Sequence, residues 1–202
     1  GFPFLNRAKA EIGFAYGRLN DYYFQTSNMT FPNATTDHSR YDLFAGSLSI
    51  ERNSLDYKQY PISGRKQFLV AQYVTGTEKY MPSPITDMGL FDRKVHSWLQ
   101  MKGEWEQYKT ISPYFNLGFM SELVLSSKNL MNNYTASVLQ APAFTPTPHS
   151  QIVFNEAFRA NQYVAFGLSP ILKFSKLLHF RLDMYGFAPL YEIKKEEVWN
   201  NN

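Results

Sequence analysis

Apolar and polar side chains alternate with a period of two residues along much of this chain. In residues 8–16 the intervening positions are charged or small, and the apolar positions are Ala8, Ala10, Ile12, Phe14 and Tyr16. Successive side chains of a β-strand point to opposite faces, so this alternation is typical of strands. A helical period would place Lys102 and Trp105 on the same face, which fits the pattern worse. The sequence therefore predicts an all-β protein.

Seven runs of this kind are predicted to be strands of an antiparallel meander that forms a transmembrane β-barrel. They cover residues 8–16, 44–51, 66–75, 99–106, 115–125, 158–169 and 178–185. Bacterial single-chain barrels have an even number of strands. Because seven is odd and residues 194–202 form a polar tail, we expect residues 1–202 to be one partial outer-membrane barrel domain.

The connections between the runs alternate in length. Long polar connections are predicted at 25–40, 78–94 and 127–155, and shorter ones at 53–63, 109–113 and 175–176. Outer-membrane barrels have long extracellular loops and short periplasmic turns. Aromatic residues near both ends predict two girdles at the level of the lipid headgroups. The candidates are Tyr22, Tyr23, Phe24, Tyr41 and Tyr80 at one end and Phe2, Phe4, Tyr57, Tyr60, Tyr108, Tyr114 and Phe174 at the other.

Composition excludes several classes of protein. The mean hydropathy is −0.36 and no run approaches the roughly 18 apolar residues of a membrane-spanning helix, so a helical membrane protein is excluded. The net charge of +3 is small and the basic residues are scattered, so no nucleic acid partner is expected. The absence of cysteine excludes disulfides, thiolate metal sites and cysteine nucleophiles.

The polar positions of the alternation predict the residues that face the barrel lumen. These candidates are Lys9, Glu11, Lys102, Glu104, Glu122, Arg159, His179, Arg181 and Asp183. The long connection at about 127–155 is predicted to fold into the lumen as a plug. Two prolines separated by one residue stiffen it, because proline fixes extended backbone and cannot pair in a ladder. The plug candidates are Phe144, Pro146, Pro148 and His149.

Catalytic chemistry is not expected of these residues. A serine hydrolase of the elbow type needs a Gly-x-Ser-x-Gly motif and an aspartate in an Asp-Gly context as its base, and neither motif occurs. His179, Arg181 and Asp183 share one predicted face, where the simplest interpretation is a ladder of charges paired across strands. No two histidines have metal-ligand spacing. We therefore predict no catalytic residue, cofactor or metal ion.

Three segments resemble a known family. Residues 143–163 (AFTPTPHSQIVFNEAFRANQY), the motifs within 64–82 and the opening PFLNRAK at 3–9 are similar to the C-terminal barrel of patatin-like phospholipases. That barrel is similar in turn to the bacterial surface-antigen family. The resemblance implies part of a sixteen-stranded barrel in the outer membrane of a Gram-negative bacterium. The barrel would anchor a fused or upstream patatin-like lipase domain and help to translocate it.

Other interpretations stay open at this stage. The surface-antigen family carries an Arg-Gly-Tyr or Arg-Gly-Phe tripeptide in its lumenal loop, and residues 127–155 have neither. The alternatives are a small autonomous outer-membrane hydrolase or acyltransferase, and a soluble lipid-binding protein of lipocalin type. The expected partners are the lipid bilayer, the lipase domain and a second copy of the barrel.

Overall fold

The computed structural model describes residues 2–4, 8–23, 36–82, 92–128, 131, 134–175, 178–191 and 193. They form one antiparallel sheet with a partly helical segment between its sixth and seventh strands. The strands are β1 Phe2–Phe4, β2 Ala8–Tyr23, β3 Asp37–Asn53, β4 Gly64–Met81, β5 Asp92–Ser112, β6 Phe115–Ser126, β7 Gln162–Lys173, β8 His179–Arg181 and β9 Met184–Tyr191. The helix is α1 Tyr134–Leu139, followed by 3-10 turns at His149–Gln151 and Glu156–Phe158. Within the described part of the chain, no helix is long and apolar enough to cross a membrane.

The strand order is a simple meander. Each strand from β1 to β7 pairs antiparallel with the next, and β8 and β9 both pair with β7. The predicted all-β antiparallel meander is therefore confirmed. Among the described residues the last strands do not pair with β1, so this sheet is open.

The segments β8 and β9 follow one course along β7. Ile171 pairs with Arg181 and Leu168 pairs with Met184, which is the same register. The interruption therefore lies opposite Pro170, whose nitrogen carries no hydrogen to donate to the ladder. The Leu182 N–H still donates to the Pro170 carbonyl at 3.1 Å. We count β8 and β9 as one interrupted strand. With β1, which the alternation did not reveal, the described sheet then has eight strands, one more than the seven predicted.

The register aligns the strands so that their apolar positions lie on one face of the sheet and their polar positions on the other. The apolar face carries large exposed side chains, and the polar face carries the charged residues. Phe14 is 79% exposed and Phe166 is 54% exposed on the apolar face. The residues that define this face include Ile12, Phe14, Leu48, Leu69, Tyr73, Leu99, Met101, Trp105, Phe119, Leu123, Val164, Phe166, Leu168, Phe180 and Met184.

Several predicted boundaries are wrong. The strand expected over 158–169 begins at Gln162, because Glu156–Phe158 is a 3-10 turn whose preceding residue, Asn155, accepts the Ala157 N–H. Arg159 therefore belongs to the long connection and not to a strand. The connection expected over 78–94 is shorter, since β4 extends to Met81 and β5 begins at Asp92. Most of the connection expected at 25–40 lies outside the described residues.

The predicted aromatic girdles are also partly wrong. Tyr23, Tyr41 and Tyr108 are buried on the polar face, because their positions in the alternation place them there. Tyr22, by contrast, is exposed on the apolar face and stacks on His38 at 4.3 Å. Phe24 and the side chains of Phe2 and Phe4 lie outside the described part.

Candidate functional site

The long connection from Ser127 to Asn161, called here the covering loop, packs against the polar face. Its first apolar anchor consists of Met131 and Ala136, which join a buried cluster with Tyr23, Tyr41 and Trp98 of the sheet. Its second anchor is Phe144, which is 3% exposed. Phe144 packs with Val124, Ala160, Tyr163 and Ala165. The covering loop is therefore docked at two places by apolar contacts.

Polar contacts reinforce the first anchor. Gln140 Nε2 donates to Asp21 Oδ2 at 2.8 Å, which ties the loop to β2. Lys128 Nζ donates to the Gln140 carbonyl at 2.5 Å and lies 4.9 Å from the centre of the Trp98 ring. Burial lowers the pKa of Lys128 to about 8, because desolvation penalises the ammonium form.

Arg159 holds the middle of the loop together. Its Nη1 donates to the carbonyls of Leu139 and Ala141, both at 3.0 Å, and its guanidinium lies 4.6 Å from the Phe154 ring. Arg159 was predicted to face the lumen from a strand. Instead, it joins the end of α1 to the extended segment that contains Phe144, so its role is structural.

The opposite end of the polar face is covered by the turn at 54–63. Arg181 Nη1 donates to the Pro61 carbonyl at 2.9 Å, and Asn116 Nδ2 donates to the Ile62 carbonyl at 2.8 Å. The Arg181 guanidinium also lies 5.6 Å from the Tyr60 ring. The sequence predicted this turn as a plain connection. Its fold over the sheet depends on donors from β6 and β8 that lie far away in the chain.

A cavity of about 490 Å³ lies between the covering loop and this turn. Its floor is a chain of ion pairs across three strands. Lys66 Nζ lies 2.8 Å from Glu104, and Lys102 Nζ lies 2.9 Å from Glu104 and 3.3 Å from Glu122. The walls are Tyr60 and Pro61 of the turn and residues 145–148 of the loop. The cations and carboxylates of the floor neutralise one another, so the cavity is polar without a strong net charge.

A second polar cluster lies near the first anchor and is buried. Glu78 accepts a hydrogen bond from Tyr41 Oη at 3.2 Å, and Glu78 Oε2 lies 2.8 Å from His96 Nε2. Sequence reasoning missed Glu78 and His96, because it placed both in or beside a loop. Continuing the alternation of residues 66–75 to residue 78 would have put Glu78 on the polar face.

The structure brings together some of the predicted lumenal residues and separates others. Lys102, Glu104 and Glu122 meet in the cavity floor, and Arg181 pairs with Asp183 at 2.6 Å beside it. Lys9 and Glu11 pair at 2.5 Å and are half-exposed. His179 shares the polar face but is exposed at the start of β8, and its side chain makes no hydrogen bond to another described residue.

The predicted plug residues have three different environments. Phe144 is the buried anchor described above. Pro146 and Pro148 line the cavity. His149 is exposed at the start of a 3-10 turn and does not line it. Of the four predicted plug residues, Phe144 packs against the sheet and the two prolines face the cavity.

The chemistry of the site is that of a covered, charge-balanced surface. Across the described ranges, no three histidine or acidic side chains form a group that could hold a metal ion. Comparison of the chain with protein-family models, curated protein sequences and solved structures finds no match. The function is therefore inferred from the two faces of the sheet and the loop that covers one of them.

Proposed function

We propose that this chain is part of an outer-membrane β-barrel of a Gram-negative bacterium, with its apolar face against lipid and its polar face inside. The observation that carries this proposal is the exposure of large apolar side chains across the whole sheet on one face, whereas on the polar face of the described strands Leu19 is the exception. Soluble monomers rarely expose apolar patches above a few hundred Å². A membrane-spanning strand needs about 9–11 residues, and β2, β3, β4 and β5 are all longer. The remaining strands of a sixteen-stranded barrel would come from outside this chain.

The covering loop then occludes the interior. Two apolar anchors and the contacts of Lys128 and Gln140 hold it against the polar face. The turn at 54–63 covers the other end. This arrangement supports a barrel whose interior is occluded by the loop, rather than a permanently open pore.

Anchoring and translocation of a patatin-like lipase domain is the more specific part of the proposal. Its support is the resemblance of residues 143–163, a segment that contains the Phe144 anchor and leads into β7. The chemistry would reside in the lipase domain, since these residues offer no serine elbow.

Cysteine labelling tests the placement of the two faces, because the chain contains no native cysteine. We expect Glu11→Cys, at a half-exposed position on the polar face, to react with a membrane-impermeant maleimide after folding into phospholipid vesicles. Ile12→Cys, its neighbour on the apolar face, should be protected in vesicles and should react fully in urea. Equal labelling of the two folded variants would contradict the proposal, as would recovery of the chain in the soluble fraction.

The lipase assignment has a separate test. The coding sequence that adjoins this segment should encode a Gly-x-Ser-x-Gly motif in the same open reading frame. In that longer protein, mutation of the motif serine should abolish lipase activity while the barrel still inserts into membranes. Lipase activity of the isolated chain of 202 residues would instead support the autonomous hydrolase.

A further inference from the structure

We infer that the ends of β3, β4 and β5 beside the turn at 54–63 form a binding site for an anionic phospholipid, and that this site continues onto the apolar face. This inference rests on the proposed membrane function and deepens it. It comes from two neighbouring depressions. The first, called the headgroup pocket, is lined by Arg52, Ser54, Gly64, Arg65, Gln107 and Tyr108 and has a volume of about 280 Å³.

The second depression is an apolar groove that shares Arg52 with the headgroup pocket. Its volume is about 460 Å³, and its apolar side chains include Ala8, Ile50, Leu69 and Trp105. Gly103 lies beside the groove, directly opposite Leu69 and two residues before Trp105 on β5. A Cβ built at Gly103 would have one heavy atom within 4 Å, Leu69 Cδ1 at 3.9 Å, so the space above it is open. The Trp105 wall is held by an edge-to-face contact with Phe119 at 5.5 Å.

The two arginines give the site its charge preference. Arg52 and Arg65 belong to paired strands, and the amides of Gln67 and Gln107 lie beside them in the same register. Neither guanidinium forms an ion pair or side-chain hydrogen bond with another described residue. At the other end of the face, by contrast, Arg18 and Arg40 both form ion pairs, and they share the single carboxylate of Asp42. Planar guanidinium groups bind phosphate oxygens in a bidentate manner.

The charged pocket and the apolar groove follow each other in the same order as the headgroup and acyl chains of a phospholipid. The arginines lie next to the turn, where a strand leaves the hydrocarbon region, and the groove runs from them toward the middle of the sheet. A phosphate at Arg52 and Arg65 would therefore place an acyl chain along Ile50, Leu69 and Trp105. The occupant that fits both parts is a phospholipid with a net negative headgroup.

Trp105 provides a direct readout, since it forms a wall of the groove. The full chain carrying Trp98→Phe and Trp199→Phe is folded into phosphatidylcholine vesicles. Those vesicles contain increasing fractions of either phosphatidylglycerol or phosphatidylcholine with brominated acyl chains. We expect brominated phosphatidylglycerol to reach half-maximal quenching of Trp105 at a lipid fraction at least about fivefold lower than brominated phosphatidylcholine does. A fivefold difference corresponds to about 1 kcal/mol, the contribution of one arginine near the surface.

Matched variants assign the preference to this site. Arg52→Gln with Arg65→Gln should remove the preference for phosphatidylglycerol, whereas Lys79→Gln with Arg93→Gln, at the other end of the same face, should keep it. Gly103→Val should reduce maximal quenching because the added side chain fills space beside Trp105. Gly46→Val is the matched control, since a Cβ at Gly46 also makes only ordinary van der Waals contacts, and it should not reduce quenching. Addition of glycerol phosphate should leave quenching unchanged, because a headgroup without acyl chains lacks the groove contacts.

The outcomes of this experiment distinguish the phospholipid site from the membrane proposal. Equal quenching by the two brominated lipids, or a preference that survives in the double arginine variant, would overturn the phospholipid site and leave the membrane proposal intact. Absence of quenching by either lipid would overturn both.

Discussion

Glu104 and Glu122 lie directly opposite each other on β5 and β6, and Lys102 bridges the two carboxylates. Like charges that face each other across strands destabilise a sheet unless a cation lies between them. Lys66 adds a second cation on the side of Glu104. The cavity floor is thus a stable surface only as a complete set of charges.

Removing Lys102 tests this dependence. Lys102→Met should lower the free energy of unfolding by about 3 kcal/mol, because it leaves partly buried carboxylates with incomplete compensation. Urea unfolding in vesicles measures the change. Adding Glu104→Gln to Lys102→Met should recover part of the loss. Lys9→Met, from the half-exposed pair with Glu11, should cost much less than Lys102→Met, because solvent screens that pair. Equal losses for Lys9→Met and Lys102→Met would contradict the role of the floor.

Truncation of the second anchor should release the covering loop. Phe144→Ala removes a buried ring that contacts four other aromatic rings, and such substitutions cost about 3–5 kcal/mol in a core. We expect faster proteolytic cleavage within residues 145–155, with the strands still folded. His149→Ala removes an exposed ring from the same loop and should leave the cleavage rate unchanged. Slow cleavage in Phe144→Ala would show that the loop is held by other contacts.

Docking of the first anchor should strengthen as the pH rises. The pKa of Lys128 is about 8 in the docked loop and returns to its ordinary value of 10.5 when the loop is released. Between these two pH values the released state binds more protons, so the stability of the docked state increases with pH. Trp98 emission during urea titration reports docking, in a variant whose other tryptophans are replaced by Phe.

The expected result is a higher urea midpoint at about pH 10 than at about pH 7. In the docked loop, Lys128 is mostly protonated at the lower of these pH values and mostly neutral at the higher one. Lys128→Met, which removes the titrating group, should show a smaller difference between the two conditions. A parent midpoint that falls as the pH rises, while that of Lys128→Met does not, would contradict the assignment to Lys128.

A charge on the apolar face should impede insertion. Leu123→Arg places a guanidinium where the proposal has lipid, at a cost of about 2–4 kcal/mol near the bilayer midplane. The folded fraction in vesicles at increasing urea measures this cost. Gln72→Arg is the matched control, since Gln72 is on the polar face and lines a pocket beside Gln100. Equal costs for the two variants would contradict the assignment of the faces.

Sequence reasoning succeeded where structure depends on near neighbours. The side-chain period of a strand is local, so alternation predicted the strands and put Lys102, Glu104 and Glu122 on one face. The prediction was wrong at Phe158. The apolar and polar residues alternate from Phe158 onward, but Phe158 belongs to a 3-10 turn and the strand begins only at Gln162. The prediction of aromatic girdles was partly wrong for a different reason. It used only the distance of Tyr41 and Tyr108 from the strand ends. Their positions in the two-residue alternation place both side chains on the polar face, where they are buried.

The amino-acid sequence is sufficient to predict strands with one apolar and one charged face, because both faces follow from the two-residue period of the side chains. Tertiary structure decided which charges meet and what covers them. The register between strands places Glu104 opposite Glu122. The Arg181 contact with Pro61 and the Gln140 contact with Asp21 join residues 120 and 119 positions apart. Such contacts depend on the packing of the whole sheet, so no local pattern in the sequence predicts them.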